Sequence, residues 1–245
     1  MARARSAILT YHSLDTSGSV ISTDPAVFRA QMAWLATSGI PVVPLDTLPS
    51  TPGAIALTFD DGFRNFAAEA LPVLERYRLP STLFVVTRFC GRTNRWPGQP
   101  PSIPELPLLD WPELSEMRAR GVSLGAHTAT HPRLAGMPLE AAEREVRESQ
   151  AAIEDRFGAR VEAFAYPYGA STSAVRDVVR RQFRTACGTA LRFVVDDDPA
   201  DLPRIDAYYL RHPFWFERLM RPAGRAFIGA RRLARDTRAW LFPSS

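Results

Sequence analysis

Through its first 205 residues the chain alternates short apolar runs with stretches of helical spacing, and the apolar runs repeatedly end in polar motifs. Ala7-Ile8-Leu9-Thr10-Tyr11 leads into His12, Ala54 to Phe59 into Asp60-Asp61-Gly62, and Val122 to Gly125 into His127-Thr128-Ala129-Thr130-His131. Val161 to Ala165 leads in the same way into Tyr166-Pro167-Tyr168-Gly169, and Thr82 to Val86 is the clearest strand of all. Continuous apolar runs are strands buried on both faces, and strands alternating with helices make a parallel sheet, open or closed into a barrel. The C-terminal edge of such a sheet is where ligands and catalytic groups collect.

The intervening stretches carry helix signals. Asp24 before Pro25 reads as an N-cap followed by a first-turn proline, with Phe28, Met32 and Leu35 at helical spacing. Val42 to Leu45 reads as a short strand. Residues 65 to 77 form an apolar helical face that Pro72 kinks or interrupts. Residues 91 to 110 hold five prolines and Trp96, which predicts an irregular loop across the strand ends. Helices are expected from Trp111 to Arg120 and over residues 172 to 182. A longer one opens at Pro138 and closes at Gly158, its buried stripe Leu139, Ala142, Val146, Ile153 and Phe157 and its Glu and Arg a solvated face. Strand-like pieces follow at Thr185 to Cys187 and Leu202 to Ile205.

Composition excludes several chemistries. All 30 basic residues are Arg, so neither a Schiff-base nor a P-loop lysine is available. Cys90 and Cys187 are too few and too far apart for a disulfide framework and are expected as buried free thiols. The apolar run at the N-terminus is too short for a signal peptide and none elsewhere is long enough to span a bilayer, so a cytoplasmic location is expected. The net charge of +4 is uneven: residues 211 to 245 hold eight Arg against Glu217 and Asp236, a net +6.

Adjacent carboxylates at a strand end cannot share one task unless the chain turns there, and Gly62 permits the turn. One could hold a metal while the other handles a proton. If residues 127 to 131 form one helical turn, His127 and His131 face the same way and can share an ion. Two imidazoles and one carboxylate are a zinc ligand set that leaves a fourth position for water. A cation there would polarise a carbonyl and acidify water, a carboxylate outside its shell could take the water's proton, and a histidine could protonate the leaving atom. The turn at Pro167-Tyr168-Gly169 could present a backbone N–H to the developing oxyanion.

Thr58-Phe59-Asp60-Asp61-Gly62, His127-Thr128-Ala129-Thr130-His131 and Phe164-Ala165-Tyr166-Pro167-Tyr168-Gly169, in this order, resemble the successive motifs of the polysaccharide deacetylases of carbohydrate esterase family 4, the NodB-homology group. The likeness covers roughly residues 5 to 207. It implies a distorted (β/α) barrel with about seven parallel strands and hydrolysis of an N-acetyl group on a sugar. It also implies Asp61, His127 and His131 as metal ligands, Asp60 as catalytic base and the main-chain N–H of Tyr168 as oxyanion donor. Two positions depart from the pattern. Ala165 stands where the family has an Arg that buttresses the catalytic Asp, and the late Leu-x-His motif is replaced by Leu202-Pro203-Arg204-Ile205-Asp206. Arg204 is the candidate for the missing guanidinium. Tyr11-His12 resembles the N-terminal Tyr-His of the exopolysaccharide-acting branch, which assigns His12 as general acid.

The expected organisation is thus a barrel over residues 1 to 210 and a basic C-terminal extension over 211 to 245. Drawn as a helix from Ala223, the extension sets Phe227, Ala230, Leu233, Ala234, Trp240 and Leu241 against Arg231, Arg232, Arg235 and Arg238. That helix either lies on an anionic membrane surface or packs on the barrel. His212 reads as structural or interfacial, and no nucleic-acid reading motif is present. The expected activity is metal-dependent N-deacetylation of an amino sugar in a polysaccharide, oligosaccharide or lipid-linked glycan at the inner membrane face, with zinc the default ion and cobalt or nickel suited to the same ligands. A deacylase or deformylase of a small amide is the alternative enzyme, and an inactive glycan-binding or membrane-docking module the alternative to an enzyme.

Overall fold

The computed structural model describes residues 5–241. In chain order its strands are β1 (Ala7–Tyr11), β2 (Ser13–Leu14), β3 (Ser22–Thr23), β4 (Ile55–Phe59), β5 (Ser81–Val85), β6 (Ser123–Ala126), β7 (Ala163–Ala165), β8 (Thr185–Cys187) and β9 (Ile205–Asp206). The helices are α1 (Pro25–Thr37), α2 (Leu71–Tyr77), α3 (Trp111–Ala119), α4 (Leu139–Phe157), α5 (Ser173–Gln182), α6 (Pro213–Phe216) and α7 (Pro222–Leu241). Seven strands form one sheet in the order β8-β7-β6-β5-β4-β1-β9, every pair parallel. This is the curled sheet of a distorted (β/α) barrel, with β2 and β3 paired separately beside it.

The two faces of the sheet bury different residues. Ala7, Leu9 and Tyr11 of β1 and Ile55, Leu57 and Phe59 of β4 join Phe28, Met32 and Leu35 of α1 in the outer layer. The alternate residues point inward, where Ile8, Ala56, Phe84, Ala165 and Cys187 make a second apolar cluster. Above that cluster the interior turns polar. The hydroxyls of Thr10 and Thr58 stand 3.1 Å apart. Since Tyr11 is in register with Phe59, the next inward pair is His12 and Asp60.

The ring is closed by one segment near the end of the barrel. Leu202 pairs with Cys187, accepting from Gly188 N at 2.9 Å and donating to Ala186 O at 2.8 Å. Three residues later Ile205 pairs with Leu9 on the opposite edge. Arg204 lies between these two pairings and is thereby delivered to the interior.

Capping follows the chemistry of the termini. Asp24 accepts from Ala26 N at 2.7 Å to start α1, and Asp110 and Glu113 form a capping box on α3. Pro72 sits in the first turn of α2, after a π-helical turn over Phe66–Ala70, so the expected interruption is a change of helix type at a point where no N–H is needed. The expected strand at residues 42 to 45 is reduced to a single bridge, Val42 to Ile55, because the chain turns into a 3₁₀ helix at Leu45–Ser50. The proline-rich loop is irregular but tied down: Asn94 donates to Pro104 O at 3.0 Å and accepts from Leu106 N at 2.8 Å, and Trp96 is buried.

The C-terminal helix packs on the barrel along a line different from the apolar face drawn from sequence. Ile228 is buried, and Phe227 stacks on Trp215 with ring centroids 4.2 Å apart. This turns Leu233 outward, 70 % exposed. The side chains of Arg238, Trp240 and Leu241 lie outside the described residues. Among the described residues no helix is long and apolar enough to cross a membrane.

Candidate metal centre and active site

Asp61, His127 and His131 converge at the C-terminal ends of β4 and β6, all three buried, with one ligand atom of each within 4.8 Å of the others. The Oδ1 atom of Asp61 lies 3.4 Å from His127 Nε2 and 3.3 Å from His131 Nε2. Ligands held about 2.1 Å from a tetrahedral centre stand about 3.4 Å from one another, so these separations are those of a coordination shell. Asp61 Oδ1 is also buried without a hydrogen-bond partner. His127 Nδ1 lies 2.8 Å from Ala165 O. A carbonyl can only accept, so that nitrogen carries a proton, which leaves Nε2, the atom facing Asp61, as the one that can take an ion. An orphaned carboxylate oxygen set between two imidazole nitrogens is a fit for a divalent cation.

The backbone that produces this convergence is strained. Among the described residues, five non-glycine positions have positive φ, and four belong to this site: Asp61 (72°), Thr128 (66°), His131 (63°) and Tyr168 (58°). Each costs on the order of 1 kcal/mol or more, strain of the kind that collects at functional sites. At Asp61 the left-handed residue, with Gly62 also at φ 78°, swings the second carboxylate out of the alternation that keeps Asp60 inside the barrel. Residues 127 to 131 are not the helical turn that the spacing suggested. They form a loop whose imidazoles converge because Thr128 and His131 are left-handed and Thr128 Oγ1 accepts from His131 N at 2.9 Å.

Asp60 is held by Arg204. The guanidinium donates from Nη1 to Oδ1 and from Nη2 to Oδ2, both at 2.7 Å, while its Nε donates to Gly188 O at 2.9 Å. Both residues are 3 % exposed. Burial alone would push the Asp60 carboxyl up, but Arg204 foremost, with the imidazoles of His127 and His12, holds it below the usual carboxylate range. Asp61 is likewise held low against its burial by His127 and His131. His12 places Nε2 3.8 Å from Asp60 Oδ2, its side chain 21 % exposed. Thr10, His12, Asp60, Arg204, Asp206 and Arg235 share a cavity of about 100 Å³. Arg235 reaches it from α7, donating to Thr189 O at 2.8 Å.

Tyr168 closes the other side. Its hydroxyl lies 3.2 Å from His131 Nδ1 and accepts from Trp96 Nε1 at 3.2 Å, while the Trp96 ring lies over His131 with centroids 4.1 Å apart. A side chain on Gly169 would collide with Thr189, 2.1 Å from the position of its Cβ. His212 sits elsewhere and caps α6, accepting from Phe214 N at 3.2 Å. Cys187 is buried and Cys90 half-buried, both as free thiols.

Sequence reasoning missed Glu145 and consigned the charges of α4 to solvent. Glu145 instead accepts from Ala129 N at 2.9 Å, Thr130 N at 2.8 Å and Thr130 Oγ1 at 2.7 Å, bracing the histidine loop from behind. Its position in the stripe of Ala142, Val146 and Ser149 is the signal that a carboxylate faced inward.

Comparison with known proteins agrees with these motifs. The profile of the family described as polysaccharide deacetylase matches residues 48–185. A chitooligosaccharide deacetylase of Sinorhizobium fredii is 32 % identical over 157 residues, covering 63 % of this chain and 63 % of its own. A poly-beta-1,6-N-acetyl-D-glucosamine N-deacetylase of Staphylococcus epidermidis is 26 % identical over 125 residues, 47 % of this chain and 40 % of its own. In structure, IcaB from Ammonifex degensii superposes with a TM-score of 0.73 at 24 % identity, over 91 % of this chain and 98 % of that one. The chain spans about half the length of the curated relatives it matches.

Proposed function

The chain belongs to the polysaccharide deacetylase family, and from that premise we propose that it is a metal-dependent hydrolase removing N-acetyl groups from an amino sugar in a glycan. The observation that carries the reading is the unpartnered Asp61 Oδ1 between two imidazoles, beside a second carboxylate fixed by an arginine fork. Asp61, His127 and His131 would hold the ion. When bound, a divalent cation, with zinc the natural choice for this ligand set, supplies Lewis-acid polarisation of the carbonyl and of water.

The protein's own groups do the proton work. Asp60, ionised and oriented by Arg204, takes the proton of the attacking water as its oxygen bonds to the amide carbon. The N–H of Tyr168 meets the oxyanion. As the C–N bond breaks, its electron pair moves to nitrogen and His12 supplies the proton that makes the amine a leaving group. Acetate and a free amino sugar result. Within the C-terminal extension that begins at residue 211, Arg235 reaches the edge of the His12 cavity.

The relatives' names point to N-acetylglucosamine polymers and oligomers as first substrates. The test is acetate release from N-acetylglucosamine oligomers by protein of measured metal content, before and after chelation. One bound divalent ion, activity lost on chelation and restored by zinc, and an inactive Asp60→Asn variant are expected. Formate release from small formamides in place of acetate would transfer the reading to a small-amide deacylase. Glycan binding with no turnover, indifferent to Asp60→Asn, would leave a binding module.

A further inference from the structure

We propose that Asn65 is a positioning residue for proton delivery by His12, an assignment that rests on the deacetylase reading above. His12 follows the last residue of β1, and its ring is partly exposed with Nε2 3.8 Å from Asp60 Oδ2, beyond hydrogen-bonding distance. Below it, the strand pairing fixes the chain, since Asp60 N donates to Tyr11 O at 2.9 Å. Above it, Asn65 makes the connection to the turn that bears the carboxylates. Its Oδ1 accepts from Leu14 N at 3.2 Å and its Nδ2 donates to Ser13 Oγ at 2.7 Å. Ser13 Oγ passes the bond on by donating to Asp15.

The two partners are 51 and 52 residues away in sequence, so one amide side chain ties the segment after the acid to the segment after the base. The turn carrying Asn65 is itself anchored, with Leu109 N donating to Gly62 O at 2.8 Å and Arg64 N to Pro107 O at 2.9 Å. Without Asn65 the stretch carrying His12 would keep its strand below and the pairing of Ser13 and Leu14 with β3, and would lose its hydrogen bonds to the carboxylate turn. A proton donor must stay within hydrogen-bond reach of the departing nitrogen to give its share of the rate, typically 10²- to 10⁴-fold.

The chemistry supplies a readout that general damage would not imitate. In amide cleavage the C–N electron pair goes to nitrogen together with a proton from His12 Nε2, because an amide anion is too basic to leave. In hydrolysis of 4-nitrophenyl acetate the C–O electron pair departs with the nitrophenolate, and no proton is required. The experiment measures kcat and KM for acetate release from an N-acetylglucosamine oligomer and for 4-nitrophenyl acetate hydrolysis, on zinc-loaded wild type, Asn65→Ala, Ser13→Ala and His12→Ala. Hydrogen exchange of residues 11–23 in the metal-free protein supplies an independent measurement.

Asn65→Ala should lose at least about tenfold in kcat on the amide, keep KM and ester hydrolysis within about threefold, and speed exchange at Leu14. Ser13→Ala should fall between it and wild type, and His12→Ala should show the same split more strongly. Parallel losses on both substrates would make Asn65 a structural residue and overturn the proposal. So would an unaltered amide kcat. A His12→Ala variant with full amide turnover would instead sink the general-acid reading, and the proposal with it.

Discussion

Replacing Arg204 by Met removes the side chain that bonds both oxygens of a carboxylate 3 % exposed. Breaking a buried pair by deleting one partner costs about 3–5 kcal/mol, because the surviving charge is left without compensation. The geometry supports the figure. The bonds lost are two to Asp60 at 2.7 Å, one to Gly188 O at 2.9 Å and a longer one to Thr58 Oγ1 at 3.4 Å, and hydrogen bonds to charged groups contribute about 1.5 kcal/mol or more each. At about 2–4 °C per kcal/mol for a chain of this size, the melting temperature should fall by roughly 6–20 °C. Arg204→Lys keeps the charge but loses the fork, and should fall in between.

The sign of the pH dependence is a sharper test. In the wild type Asp60 is held below its ordinary value, so its contribution is present above the unfolded carboxyl pKa and lost as the pH falls through the folded one. Without Arg204, burial, already the largest influence on this group, pushes the carboxyl up. The sign then reverses: the contribution is full below the unfolded pKa and lost as the pH rises. The deficit of Arg204→Met should therefore be largest near neutrality and shrink toward pH 4, measured by urea denaturation of chelated samples. Asp60→Asn in the same chain should recover part of the loss at pH 7. A variant melting within 2 °C of wild type, or a double variant no more stable than Arg204→Met, would refute the reasoning.

Two further outcomes are expected. Glu145→Ala removes the acceptor of two backbone N–H groups of the histidine loop and should weaken metal binding by about 10–100-fold, read by competition with a chromophoric chelator; an affinity within twofold of wild type would deny Glu145 this role. Burial pushes the Cys187 thiol up to about 12, so its stabilisation is complete below the unfolded thiol value and declines above it by up to about 1.4 kcal/mol per pH unit. Urea titrations from pH 8 to 10.5 should show that decline in wild type and a flatter one in Cys187→Ala, and rapid alkylation of Cys187 in the folded protein at pH 8 would contradict the burial.

The strand ends were legible in the sequence because each apolar run is short, buried on both faces and followed at once by its polar residue. Tyr11-His12 and Phe59-Asp60 mark their strand ends in that way, and the structure pairs Tyr11 with Phe59. Local chain conformation was less legible. The four-residue spacing of His127 and His131 suggested a helical turn, yet left-handed residues at Thr128 and His131 achieve the convergence, a choice imposed by the surrounding contacts and invisible to periodicity. Glu145 was hidden because a charge on a long helix is usually solvated, and its partners are 15 and 16 residues earlier. Asn65 carried no signal at all, since its meaning depends on a segment at the other end of a β-α-β path.

The stretch from Leu202 to Asp206 touches both edges of the sheet and carries the guanidinium that neutralises Asp60. Finishing the ring and neutralising Asp60 are therefore the same event. A polypeptide still emerging from the ribosome, or cut short before that stretch, would have to bury a naked carboxylate in order to close, and should stay open to proteases rather than persist as a folded barrel. Quality control of this protein is written into the order in which its parts are synthesised.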